Sequence, residues 1–362
     1  MLISTYNLPH YVLERNWQDN FAALNQLFLD EEVSEIEDLQ TSNPRNTLLK
    51  YTIGDSSFVF KQPKYLTGNA TWYINNEFRF YSLFSGIVVD NYYDAANHVL
   101  ILPFLHDIDY SEIADSTDNL VKFSVKLATS LAQFHQNLNI SYSEVLKFIE
   151  DNTLPQSSPY QLLINLLKKA YTRFDILDEV VFPSFSNPSN HLYREILYDL
   201  VHDNTFRGAL FDFEKSWVED YLIHGDLKRE NIFLKDSLLI FIDFELTTKG
   251  DNAWDVACLI DSIIKLPAFK ENPKKAYSFF YYFIDSYDKL MNYNESDFIN
   301  FLGRVLKFWA VKSIDNWRRF NSEGIGDDIF FKSIQRAKLL LLNTDEYLGY
   351  IFDDNEKKYE IF

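Results

Sequence analysis

The chain has 362 residues, with 47% apolar and 17% aromatic side chains, which is enough for one large or two small packed domains. Its formal net charge of −19 excludes long-range attraction to nucleic acid or anionic membranes and favours cationic ligands or a basic partner. One cysteine, Cys258, rules out an intramolecular disulfide. No basic segment followed by an apolar stretch opens the sequence, and no apolar run reaches the roughly 18 residues of a membrane span, so a cytoplasmic location is expected.

The first hundred residues read as strand-rich. Thr47 to Ile53 is β-branched and apolar, Gly54-Asp55-Ser56-Ser57 signals a turn, and Phe58-Val59-Phe60-Lys61 resumes the strand pattern. Together they predict a β-hairpin. Trp72 to Phe84 has helical spacing, with Glu77 inside it. Ile87 to Asp90 and His98 to Leu102 predict a second antiparallel pair, which Pro103 ends because it has no N–H for the ladder.

Beyond Pro103 the pattern turns helical. Val121 to Asn137 is an amphipathic helix ending in Phe134-His135, and Pro155, Pro159, Pro183 and Pro188 punctuate the stretch after it. Ile232-Phe233-Leu234 and Leu238 to Ile242 predict short strands around Lys235-Asp236-Ser237. Everything after Trp254 reads as helix with brief interruptions. A strand-rich front and helix-rich back predict an α+β chain of two lobes, 1–103 and 104–362, with the junction near Leu102 to Leu105.

The chemistry concentrates in His224-Gly225-Asp226-Leu227-Lys228-Arg229-Glu230-Asn231 and Ile242-Asp243-Phe244-Glu245. The intervening hairpin brings Asn231 and Asp243 to one end of a two-stranded ribbon. Two hard oxygen ligands there suit Mg, which keeps several waters and takes further oxygens from phosphates. Asp226 stands beside this pair in sequence, free to orient a hydroxyl and accept its proton, as phosphoryl transfer requires. The order H-x-D-x-x-x-x-N, a hairpin and then D-F-x is how kinase-fold enzymes supply these parts.

These residues resemble the aminoglycoside phosphotransferase and choline kinase superfamily. Gly225 and Glu245 match its small-molecule kinases better than protein kinases, which usually carry Arg and Gly there. Gly250-Asp251-Asn252-Ala253-Trp254-Asp255-Val256-Ala257 resembles the family's G-D-P-A-W-D-L-A, with Asn252 replacing Pro. The resemblance implies a protein-kinase-like two-lobed fold, with a small antiparallel sheet lobe carrying one helix and a larger, mainly helical lobe. It implies Mg and ATP as cofactors, with GTP as the alternative. It makes Asp255 a structural brace of the Asp226 loop, consistent with a carboxylate early in an apolar helix accepting backbone N–H groups. His135 becomes structural. Lys228, two residues after Asp226, matches the lysine that approaches the transferred phosphate in Ser/Thr protein kinases, against a plain solvated lysine.

In the front lobe Lys61 resembles the strand lysine that grips the α- and β-phosphates, with Glu77 as its ion-pair partner. Lys50 and Lys64 are nearby competitors for that role. Leu102-Pro103-Phe104-Leu105 occupies the hinge, where Leu102, Phe104 and Leu105 would sandwich adenine or else serve as inter-lobe core. The clearest departure is a phosphate loop, Gln40 to Asn46, with no glycine; Ser42, Asn43, Asn46 and Arg45 are its candidate phosphate donors.

The function expected is therefore transfer of a γ-phosphate to a hydroxyl of a small molecule, and the acidic charge favours a cationic acceptor. One alternative is a kinase acting on Ser or Thr of a peptide in a lanthipeptide-like modification pathway, working with a partner protein. The other is a non-catalytic kinase-fold binding partner, supported only by the missing glycines.

Overall fold

A computed structural model of the chain describes residues 33–39, 46–63, 68–83, 92–94, 98–136, 202–235, 238–320, 327–353, 356–360 and 362. The described residues fall into two compact units. The first draws on Met1–Ile108 and Asn231–Thr247, the second on Asp109–Val145, Thr153–Glu230 and Thr248–Phe362.

The first unit holds a five-stranded antiparallel sheet of β1 (Val33–Asp38), β2 (Asn46–Ile53), β3 (Ser56–Pro63), β4 (Tyr92–Asp94) and β5 (Val99–Pro103), in the order β1-β2-β3-β5-β4. The predicted hairpin is β2–β3. Ile53 pairs with Ser56, so the turn is the two residues Gly54-Asp55 rather than four, and Gly54 takes φ 56°, the left-handed region a tight hairpin turn needs. Alternation along β2 buries Leu49, Tyr51 and Ile53, with Tyr51 and Phe60 rings 4.3 Å apart. Of the second predicted pair, the His98 to Leu102 half forms β5, which pairs antiparallel with β3 and with β4, whereas Ile87 to Asp90 lie outside the described residues. Helix α1 (Gly68–Leu83) buries Ile74, Glu77 and Tyr81, spaced by three and four as one helix face requires. Strands β7 (Ile232–Lys235) and β8 (Leu238–Phe241) make the hairpin expected between Asn231 and Asp243.

The second unit is mainly helical: α2 (Tyr110–Asp115), α3 (Thr117–Gln136), α4 (Asn204–Glu214), α5 (Asn252–Ile264), α6 (Pro267–Lys270), α7 (Pro273–Met291), α8 (Glu295–Phe320), α9 (Asp327–Leu342) and α10 (Thr344–Ile351). A two-stranded ribbon of β6 (Tyr221–Ile223) and β9 (Thr248–Gly250) completes it. Helix α5 is buried on all sides apart from Ser262, as its nearly continuous apolar sequence predicts, and it packs along α8. Helix α7 packs along α3. Aspartates at 109, 203 and 251 cap α2, α4 and α5 by accepting first-turn N–H groups. No helix among the described residues is long and apolar enough to cross a membrane.

Candidate active site

In the first unit, Lys61 is buried on β3 and donates to Glu77 Oε2 of α1 at 2.7 Å. It also donates to Asp243 Oδ1 and to Glu245 Oε2, the latter at 3.2 Å. Of its competitors, Lys50 pairs with exposed Glu37 at 3.1 Å, and Lys64 lies outside the described residues. Burial on its own works to lower the Lys61 pKa, but Asp243, Glu245 and Glu77 outweigh it and hold the ammonium well above its ordinary value. Glu77 moves up to about 7. Burial is the main cause, Lys61 opposes it, and Asp243 and Glu245 add to it. The two shifts fit together because one ammonium is shared among three carboxylates. Lys61 stays charged, and the crowded negative charge falls on Glu77, which is fully buried.

Each neighbour of this cluster has a definable job. Tyr81, one helical turn after Glu77, donates its hydroxyl to Glu77 Oε1 at 3.1 Å and accepts the Asp243 backbone N–H at 3.2 Å. Asn76 donates to the carbonyl oxygens of Glu245 and Thr247, at 3.0 and 3.3 Å. Asn46 donates to Glu245 Oε2 at 3.4 Å, whereas Ser42, Asn43 and Arg45 lie outside the described residues. Asp243 itself has a left-handed backbone, φ 68° and ψ 47°, at the start of a 3-10 turn over Phe244–Leu246. A non-glycine residue held there is strained, and such strain gathers at functional sites. Phe244 anchors the turn, stacked on Phe80 at 4.0 Å and edge-on to Tyr81.

Asn231 is buried directly before β7. Ile232 pairs with Phe241, and the Ile242 N–H donates to the Asn231 carbonyl at 3.0 Å. Asn231 and Asp243 therefore sit at the same end of the hairpin. One carboxylate oxygen each from Glu77, Asp243 and Glu245 lie within 4.8 Å of one another. The Lys61 ammonium bonds all three of these carboxylates, and the carboxylate of Asp243 with the amide oxygen of Asn231 offers the hard-oxygen chemistry that a cation such as Mg takes. Of the residues expected to contact adenine, Leu102 lies in β5 and Phe104 and Leu105 follow it: Leu102 and Leu105 are buried and Phe104 is half-buried, with the Lys50 ammonium 4.5 Å from its ring centre. The Phe104 N–H is already engaged by the Ser57 carbonyl at 2.8 Å, so it is not the backbone donor an adenine would meet.

In the second unit the Asp226 loop hangs from α5. Asp255 accepts the backbone N–H of His224 at 2.7 Å and of Gly225 at 2.9 Å, and the Trp254 indole N–H donates to the Gly225 carbonyl at 2.8 Å. Asp255 is thus the brace that the resemblance implied. His135 Nε2 lies 3.1 Å from Asp255 and its Nδ1 2.6 Å from the Tyr287 hydroxyl, which makes it structural. Asn252 amide hydrogens reach the hydroxyls of Tyr287 at 2.8 Å and Tyr293 at 2.7 Å, bonds that the family's proline has no group to make. Gly225 takes φ 85°, which explains a glycine before Asp226. Asp226 lies between two ammoniums, Lys228 at 2.7 Å from Oδ2 and Lys312 at 3.1 Å from Oδ1.

Comparison with known proteins agrees with this layout. Residues 193–290 match the family model described as the phosphotransferase enzyme family. No curated protein matches the chain. Among solved structures, the choline kinase LicA from Streptococcus pneumoniae is 17% identical at a TM-score of 0.51, covering 91% of this chain and 99% of its own. An ethanolamine kinase from Plasmodium vivax is 17% identical at 0.52, covering 92% and 86%. The aminoglycoside phosphotransferase APH(2'')-Ib, ADP-bound, is 14% identical at 0.50, covering 90% and 99%. The chain has the kinase-like fold of the aminoglycoside phosphotransferase and choline kinase group. Within that fold, sequence reasoning had missed Glu245 as a Lys61 partner, Tyr81 and Lys312. The first two carried local signals, two residues after Asp243 and four after Glu77. Lys312 lies 86 residues from Asp226 and carried none.

Proposed function

We propose that this chain is a metal-dependent phosphotransferase moving the γ-phosphate of ATP to a hydroxyl of a small molecule. The observation that carries the reading is the buried Lys61–Glu77 pair joined to Asp243 and Glu245. A buried lysine among three carboxylates is costly to assemble for stability alone. It is the equipment that phosphoryl transfer uses to hold a triphosphate. Asp243, Asn231 and Glu245 would hold Mg, which when bound neutralises charge on the phosphate oxygens. Lys61, positioned by Glu77, binds the α- and β-phosphates. Leu102, Phe104 and Leu105 contact adenine.

Asp226 orients the acceptor hydroxyl and takes its proton as the oxygen attacks the γ-phosphorus. The bond from that phosphorus to the β-phosphate oxygen breaks, and the nucleoside diphosphate leaves. Lys228 supports the negative charge on the transferred phosphoryl group. A cationic acceptor hydroxyl compound is favoured by the −19 charge and by the choline, ethanolamine and aminoglycoside acceptors named for the relatives. No observation among the described residues favours a peptide acceptor, and the intact Lys61–Glu77–Asp243 cluster argues against a purely non-catalytic role.

Thermal unfolding with Mg and ATP tests the reading. At a hundred times the dissociation constant, wild type should gain about 2.7 kcal/mol. Asp243→Ala should lose the gain, while Asp226→Ala should keep it and lose about 10³-fold in turnover. A nucleotide shift that persists in Asp243→Ala would overturn the metal assignment.

A further inference from the structure

We propose that Lys312 is a positioning residue for Asp226, fixing one carboxylate oxygen so that the other meets the acceptor hydroxyl. The proposal rests on the phosphotransferase reading above. Two lysines hold Asp226, and their surroundings differ. Lys228 comes from the same loop and its side chain is 36% exposed; Lys312 comes from α8 and is 7% exposed. A lysine with solvent on one side has room to turn toward a phosphate and release its oxygen. One packed inside a helical unit is not, because moving a buried ammonium off its carboxylate leaves both charges unpaired.

The packing around Lys312 fixes it further. Its ammonium lies 5.6 Å from the centre of the Trp254 ring, whose face attracts a cation. The same Trp254 donates its indole N–H to the Gly225 carbonyl, so one side chain contacts both the lysine and the loop that carries Asp226. The next residue of α8, Ser313, donates to buried Asp261 of α5 at 2.6 Å and locks the register of α8 against α5. Lys312 thus belongs to the same rigid frame as Asp255, which holds the loop backbone. Asp255 sets where the loop lies; Lys312 sets the rotation of the carboxylate on it. With Oδ1 held, the rotamer of Asp226 is fixed before any substrate arrives, and Oδ2 is the oxygen that accepts the proton once Lys228 turns to the phosphate.

Phosphate release from Mg-ATP, with water as the acceptor, tests this without knowledge of the natural substrate. It should be measured beside the nucleotide-induced melting shift on wild type, Lys312→Met, Lys312→Arg, Asp226→Asn and the Asp226→Asn/Lys312→Met double variant. Lys312→Met should lower kcat at least tenfold with an unchanged KM for ATP and an unchanged melting shift. Lys312→Arg, which keeps the charge and serves if the methionine variant folds poorly, should recover most of the loss. Removing Lys312 should cost nothing further once Asp226 is already Asn. Wild-type kcat in Lys312→Met, or a full additional loss in the double variant, would overturn the proposal while leaving the phosphotransferase reading intact. A wild-type chain with neither a melting shift nor phosphate release would instead overturn that reading, and the role of Lys312 with it.

Discussion

The two charged clusters are mirror images in composition. Among the described residues, one ammonium in the first unit, Lys61, is shared by three carboxylates, and one carboxylate in the second, Asp226, is shared by two ammoniums. The first arrangement gathers negative charge and so suits a divalent cation with its nucleotide. The second gathers positive charge around a single carboxylate, a setting that attracts phosphate oxygens. Both use buried lysines, but burial serves different ends. Lys61 is the hub of its cluster, whereas Lys312 is a fixed flank to an aspartate whose other flank is half in solvent.

Breaking the hub should have the largest effect. Lys61→Met leaves three carboxylates crowded around an apolar stem, and denaturant unfolding of the nucleotide-free protein should show a loss of about 3–5 kcal/mol. If the variant is as stable as wild type, the carboxylates simply take up protons and the hub is not structural.

The pH dependence of the first cluster sharpens the comparison next. Glu77 sits at about 7 in the folded chain against an ordinary 4.5. The folded state therefore keeps a proton that the unfolded chain has lost, so stability falls as pH rises from about 4.5 to about 7 and levels off above. Lys61 adds no slope in that window, since it is charged in both states and its raised value matters only at alkaline pH. Glu77→Gln should remove a swing of about 1–3 kcal/mol between these limits, measured as chemical denaturation across pH. An unchanged slope in that variant would place the proton elsewhere.

The smallest effect belongs to the loop that carries the second cluster. Gly225→Ala puts a Cβ on a backbone at φ 85°, and should cost about 1–2 kcal/mol in thermal stability. Because the loop carries Asp226, turnover should fall with it while the nucleotide-induced melting shift stays. A variant with full stability would show that the loop relaxes to another conformation without penalty.

Local pattern made much of this legible. A β-branched, apolar run with its turn signal predicted β2 and β3, helical spacing of apolar residues put Glu77 inside α1, and the five-residue step from Asp226 to Asn231 with its following hairpin placed Asn231 and Asp243 at one end. Each of these signals is a short-range rule, because backbone period and turn length are set by neighbours in the chain. The role of Asp255 was also legible, through the family resemblance, and a carboxylate early in an apolar helix accepting backbone N–H groups agrees with it. Tertiary structure alone decided that Lys61 and not Lys50 meets Glu77, that Glu245 joins Asp243 on that lysine, and that Lys312 reaches Asp226. Those contacts span 16, 184 and 86 residues, and sequence distance says nothing about them. They depend on which helix faces pack and at what register, and that is settled by burying whole apolar surfaces rather than by any single residue.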